Sequence, residues 1–184
     1  LLPAERLPFT VYRSDSSEIT EAISLDTTDF LSTRFPSVNI NSAQNNPLQP
    51  DLQFRGYAAS PLLGLSQGLA VYQNGVRINE ALGDSVNWDL IPLTAVESIQ
   101  LSAGSNPIYG LNALGGGLAL QFKNGFTFTG AELEVSGGTW ERLTSSAQYG
   151  YNNGSWGVYF NINYFDEEGW RDLSESDAFD FVSV

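Results

Sequence analysis

The chain has 184 residues, with no Cys, no His, 8 basic and 21 acidic side chains, and a formal net charge of −13. Without Cys and His there is no disulfide framework, no thiolate metal site and no histidine base, which removes catalytic triads and most zinc chemistry. So few cations, with no basic patch, exclude a nucleic-acid backbone as partner. No apolar run approaches the roughly 20 residues of a membrane helix, which leaves a membrane barrel open because barrel strands are short and alternate.

Residues 7–13 read as a strand. Ser16 or Ser17 is placed to cap a helical turn through SSEITEAIS. Residues 26–36 read as a short helix, with Phe30, Leu31 and Arg34 at helical spacing and Pro36 as its stop. A strand is expected over 37–42, then a polar, proline-containing loop, then a strand over 51–56 with Leu52 and Phe54 on one face. Residues 57–68 read as a loop. Residues 69–79 form the clearest hairpin signal, two alternating runs joined by Asn74-Gly75, the pair favoured by type I′ turns. A loop with a helical turn fills 80–90, and a strand leads into Gly104.

The run GSNPIYGLNALGGG then separates that strand from a second apolar one, LALQF. Three glycines at 115–117 suit neither a helix interior nor side-chain packing. They suit a backbone that takes positive φ or passes close to another surface. A phosphate cradle is excluded, since no Lys-Ser/Thr follows and a strand, not a helix, comes next.

From Thr127 the texture changes. Residues 131–136 alternate with Ala131, Leu133 and Val135 on one side, and 143–151 alternate more loosely. In 156–165, Trp156, Val158, Phe160, Ile162 and Tyr164 share one parity, while Gly157, Tyr159, Asn161, Asn163 and Phe165 take the other. Asn152-Asn153-Gly154 is a tight turn. The acidic stretch from Asp166 reads as a longer loop. Its Asp166-Glu167-Glu168 is either a Ca²⁺ ligand group or, as the missing EF-hand spacing favours, a hydrated loop. The pattern itself fits two architectures: strands of an outer-membrane barrel, or an antiparallel meander with one wet face. An apolar face of three strands needs a partner, so the chain reads as a fragment.

One family unites these features. Arg55-Gly56 follows a strand, and Asn74-Gly75 stands in a hairpin where Asp-Gly is usual. Pro92, Val96, Glu97, Ile99, Gly104, Pro107, Tyr109, Gly110, Gly115 and Gly116 then fall in order. Gln100 replaces a common acid, and Ser105-Asn106 separate a glycine from its proline. Over about residues 7–126 this resembles the plug domain of TonB-dependent outer-membrane transporters. The resemblance implies an α+β plug domain, a small mixed β-sheet with short helices, over 1–126. The first antiparallel strands of a transmembrane β-barrel and an acidic loop would follow over 127–184, as a fragment of a barrel of about 22 strands. It further implies a bacterial outer-membrane location and import of a scarce nutrient, most often an Fe(III)-siderophore. The partners implied are a small-molecule ligand such as a metal chelate, outer-membrane lipid, and a TonB-type energy-coupling protein acting on an N-terminal segment that we do not find before Leu7. No cofactor, metal centre or catalytic residue is expected; Asp84 and Asp89 have no recognisable partner at a defined spacing. The competing reading is a soluble β-rich binding or adhesion domain whose glycines serve only turns.

Under the resemblance, Tyr57, Asn87 and Trp88 are the expected ligand-facing residues of the plug loops, although either aromatic would serve equally as a rim residue buried against the barrel. Arg55 is either a bidentate partner of carboxylates in the plug or on the barrel wall, or a snorkelling surface residue. Glu97 is either the other half of such a latch or a solvated strand charge. Gly56, Asn74, Gly75, Tyr109, Gly110, Gly115 and Gly116 are expected to serve turns and close backbone approach.

Overall fold

A computed structural model describes residues 10–42, 46–169 and 176–184. Parts of the expected first strand, of the loop after residue 42 and of the acidic loop therefore lie outside the described residues. The chain divides into two compact units: residues up to Ile91 with Val96–Phe122, and Pro92–Ala95 with Lys123–Val184. The division at Phe122 precedes the expected residue 126, because Lys123 and Gly125 bond within the second unit.

In the first unit, β1 (Val11–Asp15) leads into α1 (Ser16–Glu21). The cap is Asp15, not Ser16 or Ser17: its carboxylate accepts from the Ser17 and Glu18 amides at 3.1 and 3.2 Å. A carboxylate at a helix N-terminus satisfies orphan N–H groups and meets the positive end of the dipole. The Ser17 hydroxyl, followed by the Glu18 amide, holds the Asp15 carboxyl below its ordinary pKa of 3.8. Asp26 caps α2 (Thr27–Arg34) through the Asp29 amide at 2.8 Å. Burial pushes its carboxyl above 3.8 despite that bond. Helix α2 stops at Phe35, before Pro36, and buries Phe30 and Leu31.

A three-stranded sheet runs in the order β2 (Val38–Asn41), β3 (Asp51–Phe54), β4 (Tyr57–Ala59). Strand β4 occupies the start of the segment expected to be all loop. It pairs Phe54 with Tyr57, so Arg55 (φ 52°) and Gly56 (φ 86°) form a two-residue hairpin turn. The second sheet is mixed, in the order β1-β7-β8-β5-β6, with β5 (Leu69–Gln73), β6 (Val76–Arg77), β7 (Val96–Ala103) and β8 (Gly116–Phe122). Among the described strand pairs of this sheet, β5 and β8 run parallel and the others antiparallel. Their Leu69, Val71, Leu118 and Leu120 join Ile99 and Leu101 of β7 in the core. The Asn74 side chain does more than turn the hairpin: its Oδ1 accepts from the Phe122 amide at 2.8 Å, tying the turn to the end of β8.

The second unit is an antiparallel meander, β12-β11-β10-β9. It comprises β9 (Gly130–Gly137), β10 (Leu143–Asn152), β11 (Gly157–Glu167) and β12 (Ser176–Ser183). Strand β12 is a correction: the segment read as acidic loop and tail pairs with β11 along its length, placing Phe179 opposite Tyr164 and Phe181 opposite Ile162. One face is apolar and exposed, with cross-strand rows Leu133-Ala147-Ile162-Phe181 and Val135-Ser145-Tyr164-Phe179. The opposite parity carries Gln148, Tyr159, Asn161 and Glu167, all buried. Tyr151 and Trp156 lie together at one end of the apolar face, and exposed Trp140 sits in the turn at the other. Ten- and eleven-residue strands, apolar outward and polar inward with aromatics at both ends, have the build of outer-membrane barrel strands. Glu167 pairs with Arg142 at 2.9 Å, so the acidic triplet is partly committed to the sheet.

Candidate functional site

The sheet topology gathers three loops at one edge. Because β5 and β8 are parallel and their antiparallel neighbours end beside their starts, the segments 60–68, 78–87 and 104–115 meet there.

Hydrogen bonds bind each loop to the next. In the first loop the Ser60 hydroxyl donates to buried Asp51, and the Ser60 amide donates to Gln67 Oε1 at 2.8 Å. Gln67 returns bonds to the Ser60 and Leu62 carbonyls, both at 3.3 Å. The Val86 amide of the second loop donates to the Ser60 carbonyl at 2.9 Å. Arg77, at the end of β6, donates to Asp84 at 3.2 Å, to Asn79 Oδ1 at 3.2 Å and to the Leu111 carbonyl of the third loop at 2.7 Å. Asn112 of that loop donates to the other Asp84 oxygen at 2.9 Å. Asn79 also accepts from the Val71 amide and donates to the Leu69 carbonyl, so the network roots in β5.

The three glycines have three different neighbours. A Cβ on Gly115 would stand 2.6 Å from the Tyr57 side chain, and one on Gly117 would stand 2.8 Å from the Tyr109 ring. A Cβ on Gly116, which has φ 140°, would fall on the Ser102 carbonyl oxygen of β7. Gly68 also faces Tyr57, at 2.5 Å, and the Gly115 amide donates to the Gly68 carbonyl at 2.8 Å. The Tyr57 side chain is therefore set over two glycines that join the first and third loops. The Tyr109 carbonyl accepts from the Tyr72 hydroxyl at 2.9 Å, and Gly110 (φ 71°) closes that short turn.

The expected ligand-facing residues fare differently. Tyr57 is 38% exposed. Asn87 is half-buried, its amide donating to Glu80 at 2.6 Å. Trp88 is 3% exposed, and its indole donates to the Ala59 carbonyl at 3.0 Å. Its ring is core, which corrects the expectation that it stacks on a ligand. Arg55 and Glu97 are not brought together. Arg55 stacks over the Phe54 ring at 5.2 Å and reaches the Tyr12 hydroxyl at 3.5 Å, while Glu97 lies on β7. Among the described residues neither belongs to an ion pair.

Sequence reasoning missed the Arg77-Asn79-Asp84-Asn112 network and gave Asp84 no partner. Its members come from separate loops, so no spacing reveals them. A usable signal was the set of leucines in turn-rich segments, where apolar residues have no strand or helix to bury them. Leu82 is 79%, Ile108 78% and Leu111 87% exposed.

In the second unit the polar face carries a hydrogen-bonded network of its own. Lys123 donates to the Thr94 carbonyl at 2.9 Å and to Gln148 Oε1 at 3.2 Å, and lies over the Phe128 ring. Gln148 accepts from the Tyr159 hydroxyl and donates to Glu132, each at 2.9 Å. Thr94 bonds Asn163 at 2.6 Å and Asn161 at 3.1 Å.

A family model described as the TonB-dependent Receptor Plug Domain matches residues 3–117. The chain belongs to that family. The first unit is a TonB-dependent receptor plug, the second holds antiparallel strands of its barrel, and the location is the bacterial outer membrane. A vitamin B12 transporter, BtuB, of Photobacterium profundum is 36% identical over 97 residues, covering 50% of this chain and 16% of that protein. Among solved structures, the alcaligin outer-membrane receptor FauA of Bordetella pertussis aligns with a TM-score of 0.70 at 14% identity, over 91% of this chain and 28% of that one. The ferric yersiniabactin uptake receptor FyuA of Yersinia pestis aligns with a TM-score of 0.59 at 18% identity, over 89% and 25%. These likenesses carry the fold, and the chain spans well under half of each relative.

Proposed function

We propose that the full-length receptor imports a scarce nutrient across the outer membrane by TonB-dependent active transport, with an Fe(III)-siderophore as the cargo class. The observation that carries this reading is the bonded cluster of three plug loops, 60–68, 78–87 and 104–115, in a chain of this family. Polar bonding within the cluster holds the loops as one rigid surface, and preorganisation lowers the entropy cost of binding. On that surface Tyr57 and Asn87 face the ligand, with Trp88 beneath them as support. Arg55 and Glu97 are latch residues whose partners lie on the barrel wall. A TonB-type protein acts through a segment before the first plug strand.

The test is binding of Fe(III) chelates and cobalamin to the full-length receptor in detergent, beside growth of a deletion strain under iron limitation. Saturable binding of an Fe(III) chelate with an iron-dependent growth defect is expected. Binding of cobalamin alone, with normal growth on scarce iron, would overturn the siderophore assignment. If Arg55→Ala and Glu97→Gln leave both plug retention and uptake unchanged, the latch is wrong.

A further inference from the structure

We infer that the plug's share of the ligand site is built for a chelate with an apolar outer surface and zero or positive net charge, and selects against anionic chelates. This rests on the reading of the three loops as the ligand-facing surface.

Two independent observations carry it. The first is apolar exposure. Leu63, Leu82, Ile108, Leu111 and Leu114 are all exposed on these loops. They belong to one surface: Leu63 touches the place a Gly83 Cβ would take, and the second and third loops are joined through Asp84 and Asn112. Exposed apolar side chains gathered on three mutually bonded loops suit a binding surface.

The second is charge. Segments 60–68, 78–87 and 104–115 contain no Lys and no Arg, while the middle one carries Glu80 and Asp84. The neighbouring cation, Arg77, is committed to Asp84 and to the Leu111 carbonyl. Glu80 is left with the neutral partners Asn87 and Ser85. An anionic ligand settling here would lose water and meet a carboxylate instead of a guanidinium or ammonium, the groups that normally receive such charge. A neutral chelate brings no net charge to desolvate, a cationic one is offset by attraction to Glu80, and either buries its carbon surface on the leucines.

The experiment uses the full-length receptor in detergent at low ionic strength, with three probes. These are a neutral cyclic tris-hydroxamate Fe(III) chelate, a cationic linear tris-hydroxamate Fe(III) chelate and a trianionic tris-catecholate Fe(III) chelate. Each is titrated against the wild type, Leu82→Asp, Leu111→Asp and Leu114→Lys, with the melting temperature of each variant recorded. The expected result is at least tenfold tighter binding of the neutral or cationic chelate than of the trianion. Leu82→Asp and Leu111→Asp should weaken neutral-chelate binding by tenfold or more at unchanged melting temperature, and Leu114→Lys should narrow the gap to the trianion. Tighter binding of the trianion, weakened by the same Leu→Asp changes, would overturn the charge assignment and leave the loops as the ligand surface. Binding that ignores all three substitutions would remove the loops from the site, and a fall in melting temperature alone would assign the leucines to packing against the barrel. A receptor that binds none of the three probes overturns both readings.

Discussion

The Arg77 guanidinium lies 3.2 Å from one Asp84 carboxylate oxygen, and through that contact the β5–β6 hairpin holds the loop that follows it. Both side chains are partly exposed, so the ion pair itself is worth about 1 kcal/mol or less. Geometry adds to it, because Asp84 sits at φ 53° and also accepts from Asn112. Asp84→Asn keeps the shape and tolerates that backbone, and is expected to cost under about 1 kcal/mol. Asp84→Ala loses the bonds and strains the turn, and is expected to cost about 2–3 kcal/mol of local opening. Hydrogen exchange of the amides in 78–87 and 104–115 on the full receptor would measure both; equal protection in the two variants would refute the role given to Asp84.

At the glycine run the order of costs is the prediction. Gly116→Ala forces a Cβ onto backbone that is paired within the sheet, and is expected to exceed about 4 kcal/mol, at the exceptional end for a single change. The atoms nearest a Cβ in Gly117→Ala all belong to the Tyr109 ring, a half-buried side chain that can swing, and the change is expected to cost about 1–3 kcal/mol. Folded yield and urea midpoints of the two variants would check this. A Gly116→Ala protein as stable as the wild type would show that the β7–β8 approach is looser than described.

How much of this could be read from the chain depended on whether its determinants were local. The Asn74-Gly75 hairpin and the alternation of 156–165 are properties of adjacent residues, and both were legible. Gly56 was legible as a turn residue, but Arg55 reads as part of a strand over 51–56, because Arg rarely takes positive φ and only the β3–β4 pairing requires it here. Strand β12 was missed because Asp177 takes the parity of Phe179 and Phe181 and the segment follows an acidic stretch, and pairing with β11 outweighs that composition. Trp88 was misassigned because its burial comes from residues distant in sequence, among them Ala59, whose carbonyl accepts the indole N–H.

Two capping carboxylates should respond to acid in opposite senses. Asp15 is held below 3.8, so its contribution is present above 3.8 and is lost as pH falls through its folded value. Asp26 is raised above 3.8, so its contribution is full below 3.8 and is lost as pH rises through its folded value. Asp26→Asn is therefore expected to remove a loss of α2 protection on going from about pH 4 to neutrality, and Asp15→Asn to flatten the acid-side loss at α1. Hydrogen exchange from acid to neutral pH would read both, and a shift of the same sign at the two helices would contradict the assignment.

The two faces of the meander predict an asymmetric response to charge. Ile162→Arg, on the apolar row between Ala147 and Phe181, is expected to cost about 2–4 kcal/mol in a bilayer if it lies near the midplane, with smaller losses nearer the interface. Asn163→Asp, one residue along on the polar face, keeps an acceptor for the Thr94 hydroxyl and loses the amide that donates to Asn161, and is expected to change the unfolding free energy by about 1 kcal/mol or less. Unfolding in lipid vesicles would compare them; equal penalties would mean the sheet is not lipid-facing.

The alternation in the second unit also bears on how such a protein reaches its destination. Because Asn161, Asn163 and Asp166 interrupt β11, its apolar runs stay a few residues long, and none of the described helices is long or apolar enough to cross a membrane. Insertion machinery that weighs about 20 consecutive residues has nothing to capture in these strands, so they can pass one bilayer as an ordinary polar thread. Only when the strands pair does the hydrophobic half gather on a single side, and at that moment water becomes the wrong solvent and lipid the right one.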